Sequence, residues 1–248
     1  GSNIANIGLV LGVSGFIYPI IIKTNVNRMR YNMAFLFIST ISLIFGLMIN
    51  IINIYYGIFL LLLFYVYIFY LFKYFLKDDD ETHIDRDDIK HYSFIYLLFF
   101  ICFGFVLVSL GSDFFIKGTI GISRYFGYDN NLIISMTLVA LGTSLPELAT
   151  GIIAALRKQS SLAVGTILGS NVYNIVGIFA LILFMKSGEF PAGSGVLMTN
   201  IIIMTIITFL FVYKVRFGVK LLNIKAFQLT KNSGILFLIL YAIYTLYN

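Results

Sequence analysis

The sequence predicts an all-α membrane protein, a bundle of about eight transmembrane helices. Three observations predict this. First, the 248 residues are 60% hydrophobic and only 11% charged, with a mean hydropathy of +0.96, whereas soluble domains are about half apolar and about a quarter charged. Second, uninterrupted apolar runs long enough to cross about 30 Å of hydrocarbon as helices recur along the chain. Third, the basic residues divide unevenly between alternate connections, as they do in multi-pass proteins. The alternating strands of a β-barrel are absent from the pattern, which leaves the helical bundle as the spanning structure.

The apolar segments run over 4–22, 31–50, 54–76, 92–117, 131–156, 161–185, 196–213 and 232–247. If each crosses once, one side collects Lys23, Arg28 and Arg30, then Lys73, Lys77, Arg86 and Lys90. It also collects Arg157 and Lys158, then Lys214, Arg216, Lys220, Lys225 and Lys231, giving 14 of the 17 basic residues. The other side holds Lys117, Arg124 and Lys186. The richer side is therefore cytoplasmic, and the C-terminus falls outside. The predicted location is an integral, multi-pass position in the cell or cytoplasmic membrane, with the lipid bilayer as the principal surrounding. The many Phe and Tyr residues read as lipid-facing and interfacial-belt positions. Cys102 lies in an apolar run and reads as a small packed hydrophobe, with no disulfide or cysteine metal site to be built within one chain.

The third and fourth segments are separated by KDDDETHIDRDDIK, residues 77–90, which holds seven of the eleven acidic residues. It lacks the Gly and the closing Glu of an EF-hand loop, so it reads as a solvated cytoplasmic connector over 77–91. His83 and His91, in or beside it, have no metal-ligand spacing to anything and read as surface residues. Asp113 reads as an interfacial or mouth residue of the fourth segment, and Glu189 sits in an outside loop with Gly and Pro.

An internal repeat sets the organisation. The chain opens GSNIANI and later reads GSNVYNI at 169–175, with five of seven letters matched and an offset of 168 residues. Five crossings separate the two copies, so they run through the membrane in opposite directions. That is an inverted-topology repeat, a construction common among secondary transporters. A five-helix unit makes the first visible helix the third of its unit. The reading is then residues 1–76 as three helices of the first repeat, 77–91 as connector and 92–248 as the complete second repeat. Two further helices are expected upstream, for ten in all.

The fifth segment carries the chemistry, in LGTSLPELATG at 141–151. Glu147 is the one acidic side chain deep in an apolar segment, where an ionised group costs about 2.5–3.5 kcal/mol on insertion scales. Pro146 beside it removes an N–H and is expected to break the helix, leaving carbonyls unpaired near Leu141 and Gly142. Those carbonyls, the hydroxyls of Thr143 and Ser144 and the Glu147 carboxylate form an oxygen cluster of the kind that hard cations such as Na+ and Ca2+ require. Two readings of Thr143 and Ser144 stand: hydroxyls back-bonded within their own helix, or ligands. In the sixth segment Ser170, Asn171 and Asn174 share a helical face, and they recur as Ser2, Asn3 and Asn6. They read either as interhelical glue or as a site at the repeat interface. Gly165, Gly169 and Gly177 read as a smooth stripe for close approach of another helix. No phosphate-cradling loop, nucleophile triad or nucleic-acid module stands out, so neither an enzyme nor a nucleic-acid partner is expected.

With GTSLPE followed by GSNVYN, and GSN-x-x-N at the start, the chain resembles the cation/Ca2+ exchanger superfamily, and within it the prokaryotic sodium/calcium exchangers. The resemblance covers the last eight of that family's ten helices. It implies electrogenic exchange of Na+ for Ca2+ by alternating access, with no covalent chemistry, no organic cofactor and no obligate protein partner. By the family pattern Glu147 contacts both ions, Thr143 and Ser144 lend hydroxyls, and Ala140 lends its carbonyl. Ser170 and Asn174 complete the second-repeat half, and Ser2 and Asn6 match the corresponding first-repeat positions. The family's other acidic ligand is absent from this chain. Asn174 stands where many members have Asp, and Thr166 where many have Asn. The rival readings are a Ca2+/H+ or K+-assisted exchanger on the same scaffold, a passive cation channel, and a non-transporting fragment.

Overall fold

The computed structural model describes residues 1–22, 26–49, 51–75, 93–125, 127, 132–185, 195–221 and 227–247. The 77–91 connector with both histidines, and the loop carrying Glu189, lie outside the described residues. Within them run eight helices: α1 Ser2–Ile17, α2 Val26–Met48, α3 Ile54–Phe75, α4 Phe94–Tyr125, α5 Leu132–Leu156, α6 Ser160–Met185, α7 Gly195–Leu221 and α8 Lys231–Tyr247. The six from α2 to α7 contain stretches long and apolar enough to cross a membrane, while α1 and α8 are shorter apolar helices. The chain is an integral, multi-pass membrane protein.

The first apolar run does not continue as helix to residue 22. Pro19 pushes the residue before it out of the helical region, and Tyr18 is extended, with φ −142° and ψ 126°. The chain then forms strand β1, Ile20–Ile22, which pairs antiparallel with β2, Phe227–Leu229. The register sets Ile20 opposite Leu229, Ile21 opposite Gln228 and Ile22 opposite Phe227. Ile20, Ile22 and Leu229 point inward while Ile21 is exposed, the period of two expected of a strand with one buried face. This clasp joins the exit of α1 to the entry of α8. It lies in segments whose apolar runs read as a spanning helix and as a charged loop.

Helices α1 and α6 form the centre. Ala5, Ile7, Val10 and Leu11 of α1, and Val164, Leu168, Val172, Val176, Ala180 and Leu183 of α6, are fully buried. Helix α1 packs on α8, α5 and α6, and α6 packs on α2, α3 and α5. Each central helix contains one π-helical stretch, Asn6–Leu11 in α1 and Tyr173–Ile178 in α6. Both stretches begin at the end of the GSN-x-x-N copies, at Asn6 and at Tyr173 beside Asn174. A π turn takes in an extra residue and re-aims the side chains around it, and such turns gather at functional sites.

In lipid the hydrophobic effect does not drive helices together, so close packing must. Among the described residues the closest approach of one helix to another's backbone is at Gly234 of α8. A Cβ there would lie 2.8 Å from the Phe16 amide nitrogen and 2.9 Å from the Gly12 carbonyl oxygen of α1. These are backbone atoms, which cannot turn aside. The glycine stripe expected on α6 serves a different end. The nearest atoms to Gly165 and Gly169 are the tip of Met29 and the Tyr67 hydroxyl, and Gly177 makes room for the ring of Tyr173 in its own helix. These glycines accommodate side chains rather than a neighbouring backbone.

Helix α4 packs against α5, and otherwise presents Phe, Ile and Leu side chains outward. Cys102 on it is exposed, so it faces the surroundings rather than packing as a core hydrophobe. Asp113 pairs with Lys117 one turn later at 2.6 Å on the exposed face, clear of the bundle interior.

Candidate cation site

The helix predicted to break at Pro146 does not break: α5 runs from Leu132 through Pro146 to Leu156. A proline removes one intrahelical hydrogen bond, and the bonds of the flanking turns and the neighbouring helices hold the remainder in a spanning segment. Hydroxyls serve the backbone on both sides of it. Thr143 Oγ1 donates to the Ala140 carbonyl at 3.1 Å, and Thr150 Oγ1 donates to the carbonyls of Pro146 and Glu147 at 2.9 and 3.0 Å.

Glu147 projects from this helix into a cavity of about 570 Å³ between α1, α2, α5, α6 and α7. The polar wall comprises Ser2 and Asn3 of α1, Thr143 and Glu147 of α5, and Ser170 and Asn174 of α6. The opposite wall is apolar, with Leu43 and Leu47 of α2, Ile175, Ile178 and Phe179 of α6, and Ile201 and Met204 of α7. One carboxylate oxygen, Oε1, accepts the Ser170 hydroxyl at 2.9 Å. The other, Oε2, is buried without a hydrogen-bond partner. Among the described residues no basic side chain pairs with Glu147. A carboxylate oxygen so placed is suited to a cation, which offsets its lost hydration.

Of the residues singled out in the sequence, Glu147, Thr143, Ser170, Asn174 and Ser2 meet at this one cavity. Three others stand behind its wall. Ser144 is 1% exposed and its hydroxyl shares a hydrogen bond with Ser2 at 3.2 Å. Asn6 is wholly buried and donates to Ser170 Oγ at 3.2 Å. The Ala140 carbonyl already accepts Thr143, although its second lone pair stays available. The hydroxyl of Ser170 therefore accepts from Asn6 and donates to Glu147, linking the first GSN copy to the carboxylate.

Two residues carry more of the site than their part in the sequence reading suggested. Asn3 Nδ2 donates to the Asn171 carbonyl at 3.1 Å, and Asn171 Nδ2 donates to the Asn3 carbonyl at 3.3 Å. Asn174 Nδ2 donates to Asn3 Oδ1, and Asn6 Nδ2 to Asn171 Oδ1, both at 2.9 Å. Asn174 Nδ2 also reaches Ser2 Oγ at 3.5 Å, as Asn6 Nδ2 reaches Ser170 Oγ at 3.2 Å. Exchanging the first copy of the motif for the second maps every one of these bonds onto another that is present. The signal lay in the motif itself, since the third letter of each GSN recurs as faithfully as the ligand candidates around it.

Comparison with known proteins identifies the family. The sequence pattern of the family described as sodium/calcium exchanger protein matches residues 1–73 and 96–248. An uncharacterized membrane protein of Methanocaldococcus jannaschii is 32% identical over 246 residues, covering 98% of this chain and 72% of that protein. The sodium/calcium exchanger MaX1 of Methanosarcina acetivorans is 41% identical over 87 residues, covering 34% of this chain and 25% of that one. A solved structure of the sodium-calcium exchanger NCX_Mj, soaked with zero Na+ and Ca2+, superposes with a TM-score of 0.70 at 28% identity. That superposition takes in 98% of this chain and 72% of the solved one. With the family's pattern running through both halves of the chain and its fold reproduced, the protein belongs to the sodium/calcium exchanger family.

Proposed function

We propose that the protein is a secondary antiporter that exchanges Na+ for Ca2+ by alternating access, binding the ions at the interface of two inverted repeats. The repeats are residues 1–76 and 92–248, joined by a cytoplasmic connector over 77–91, with the C-terminus outside. The orientation is supported by the placement of 14 of the 17 basic residues on one side. One observation carries the reading: a carboxylate faces a cavity between apolar helices with one oxygen unpartnered.

The donor set suits a hard cation. Ca2+ takes six to eight oxygens at about 2.3–2.6 Å, drawn from carboxylates, amide carbonyls and hydroxyls. Glu147 supplies charge, Asn174 an amide oxygen, and Thr143, Ser170 and Ser2 hydroxyls, with Ser144, Asn6 and the Ala140 carbonyl close behind. Among the described residues no group of three His, Cys, Asp or Glu side chains gathers, so the charge at the cavity comes from one carboxylate and the other donors are neutral oxygens. Neutral Asn174 contributes no titratable proton, which favours Na+ over H+ as the counter-ion at that position. The apolar wall lowers the local dielectric and so strengthens the ion–oxygen attraction. Exchange then needs only that Ca2+ and Na+ each neutralise the cavity, and that the charged, empty cavity be too costly to carry across.

Equilibrium binding of ⁴⁵Ca²⁺ by the purified protein, and its uptake into Na+-loaded vesicles, test this. Binding that Na+ displaces and that Glu147→Gln abolishes is the expected result. Retention of binding by Glu147→Gln overturns the site. Uptake driven equally by a pH gradient in the absence of Na+ replaces Na+ with H+ as the counter-ion.

A further inference from the structure

We propose that Asn3 and Asn171 are positioning residues, whose crossed hydrogen bonds decide which end of the Asn174 and Asn6 carboxamides faces away from the amide cluster. The inference rests on the cation-site reading above and adds to it two residues that do not themselves need to touch the ion.

A backbone carbonyl can only accept. Because Asn3 Nδ2 donates to the Asn171 carbonyl and Asn171 Nδ2 to the Asn3 carbonyl, the NH2 end of each side chain is fixed. The Oδ1 atom of each must then act as an acceptor on its other side. Asn3 Oδ1 accepts Asn174 Nδ2, and Asn171 Oδ1 accepts Asn6 Nδ2, both at 2.9 Å. The polarity passes one step further. With its NH2 held by Asn3 and Ser2, Asn174 keeps Oδ1 as its free end at the cavity it lines. Asn6 likewise ends with Oδ1 buried and unpartnered. The arrangement is crosswise: the inner amide of one GSN copy orients the outer amide of the other copy.

The difference matters because the two ends of a carboxamide are similar in shape and opposite in electrostatics. An amide oxygen coordinates a cation, whereas an NH2 group in its place repels one. Asn174 left without its acceptor can turn its NH2 toward the cavity, and the site then loses an oxygen ligand without losing a residue. A role limited to gluing helices together predicts something else, namely a loss of folded protein and of maximal rate at unchanged apparent affinity.

The test uses the parent protein, Asn3→Leu, Asn174→Leu and the double variant, with Glu147→Gln in the same assay. Half-saturation for ⁴⁵Ca²⁺ and maximal uptake are read separately, and thermal stability is recorded in detergent. Asn3→Leu is expected to raise half-saturation about tenfold, the order of one lost hydrogen bond in a binding equilibrium. The double variant is expected to be no worse than Asn174→Leu alone, because both changes remove the same oxygen. Half-saturation within about twofold of the parent for Asn3→Leu, or effects that multiply in the double variant, overturns the positioning role. If Asn3→Leu does not accumulate folded, Asn3→Ala carries the test. It removes the acceptor for Asn174 and the donor to the Asn171 carbonyl together, so a parent-like half-saturation again overturns the proposal. Glu147→Gln separates the two levels. Loss of binding there beside a parent-like Asn3 variant defeats the positioning role alone, whereas retained binding defeats the cation site on which it rests.

Discussion

Ser170 donates its hydroxyl to Glu147 Oε1 at 2.9 Å, across the 23 residues that separate α6 from the charged turn of α5. The bond leaves Oε2 as the carboxylate's unpartnered oxygen, so the carboxylate is held from one side and open on the other. Hydrogen bonds to charged groups contribute about 1.5–3 kcal/mol. Ser170→Ala is therefore expected to weaken Ca2+ binding by about tenfold or more while leaving the bundle folded. The half-saturation of ⁴⁵Ca²⁺ binding checks this, and a parent-like value removes Ser170 from the site.

Asp113 provides the contrast. It is acidic and lies in a spanning helix, yet it forms an exposed pair with Lys117 one turn away. Such pairs contribute about 0–1 kcal/mol. Asp113→Asn is expected to leave both Ca2+ binding and thermal stability unchanged, under conditions in which Glu147→Gln abolishes binding. Equal losses from the two substitutions would show that any spanning carboxylate has this effect, and that the cavity has no special part.

The α1–α8 contact is set by a missing side chain. Gly234→Ala places a methyl 2.8–3.0 Å from three backbone atoms of α1, and neither helix can give way without leaving its partner. A loss of about 1–3 kcal/mol, or failure to assemble, is expected. At Gly118 in α4 a Cβ meets nothing within 4 Å. Gly118→Ala is expected to be neutral or to stabilise by up to about 1 kcal/mol through helix propensity. Melting temperatures of the two variants in one detergent settle the comparison.

The two-stranded clasp makes a chemical prediction. Ile21 faces Gln228 across the antiparallel pair, where opposed Cβ atoms lie about 4.5–5.5 Å apart. Disulfides close at Cβ separations of about 3.5–4.5 Å, within reach of a small adjustment in so short a two-stranded pair. In a background with Cys102→Ser, the pair Ile21→Cys and Gln228→Cys is expected to cross-link on mild oxidation. Mass spectrometry of the digested protein reads the result, and a free thiol at both positions argues against the clasp.

Where the local rule was strong, the sequence was legible. Each of the eight apolar runs contains a helix, because a spanning segment must satisfy its backbone internally and a helix does so alone. Glu147 announced itself, since one carboxylate in an apolar run has few comfortable explanations. Its neighbours Thr143, Ser170, Asn174 and Ser2 followed from spacing and from the repeat, and the cavity gathers all of them. Ser144, Asn6 and the Ala140 carbonyl, singled out on the same helices, stand behind the wall. Residues one turn apart can share a helical face without reaching the same depth.

What the amino-acid order determined by itself was therefore one-dimensional: where helices run, which charge is out of place, and that one motif occurs twice. Only the tertiary structure decided that α5 passes unbroken through Pro146, that Ile20–Ile22 leaves the helix to pair with Phe227–Leu229, and that Gly234 rather than the α6 glycines admits a neighbouring backbone. It also decided that Asn3 and Asn171 bond across the two copies. For the first, the physical reason is that α5 is held by its flanking turns and its neighbours around the one bond Pro146 removes. The other three depend on the distance between atoms far apart in sequence, and packing fixes such distances only after two elements have met.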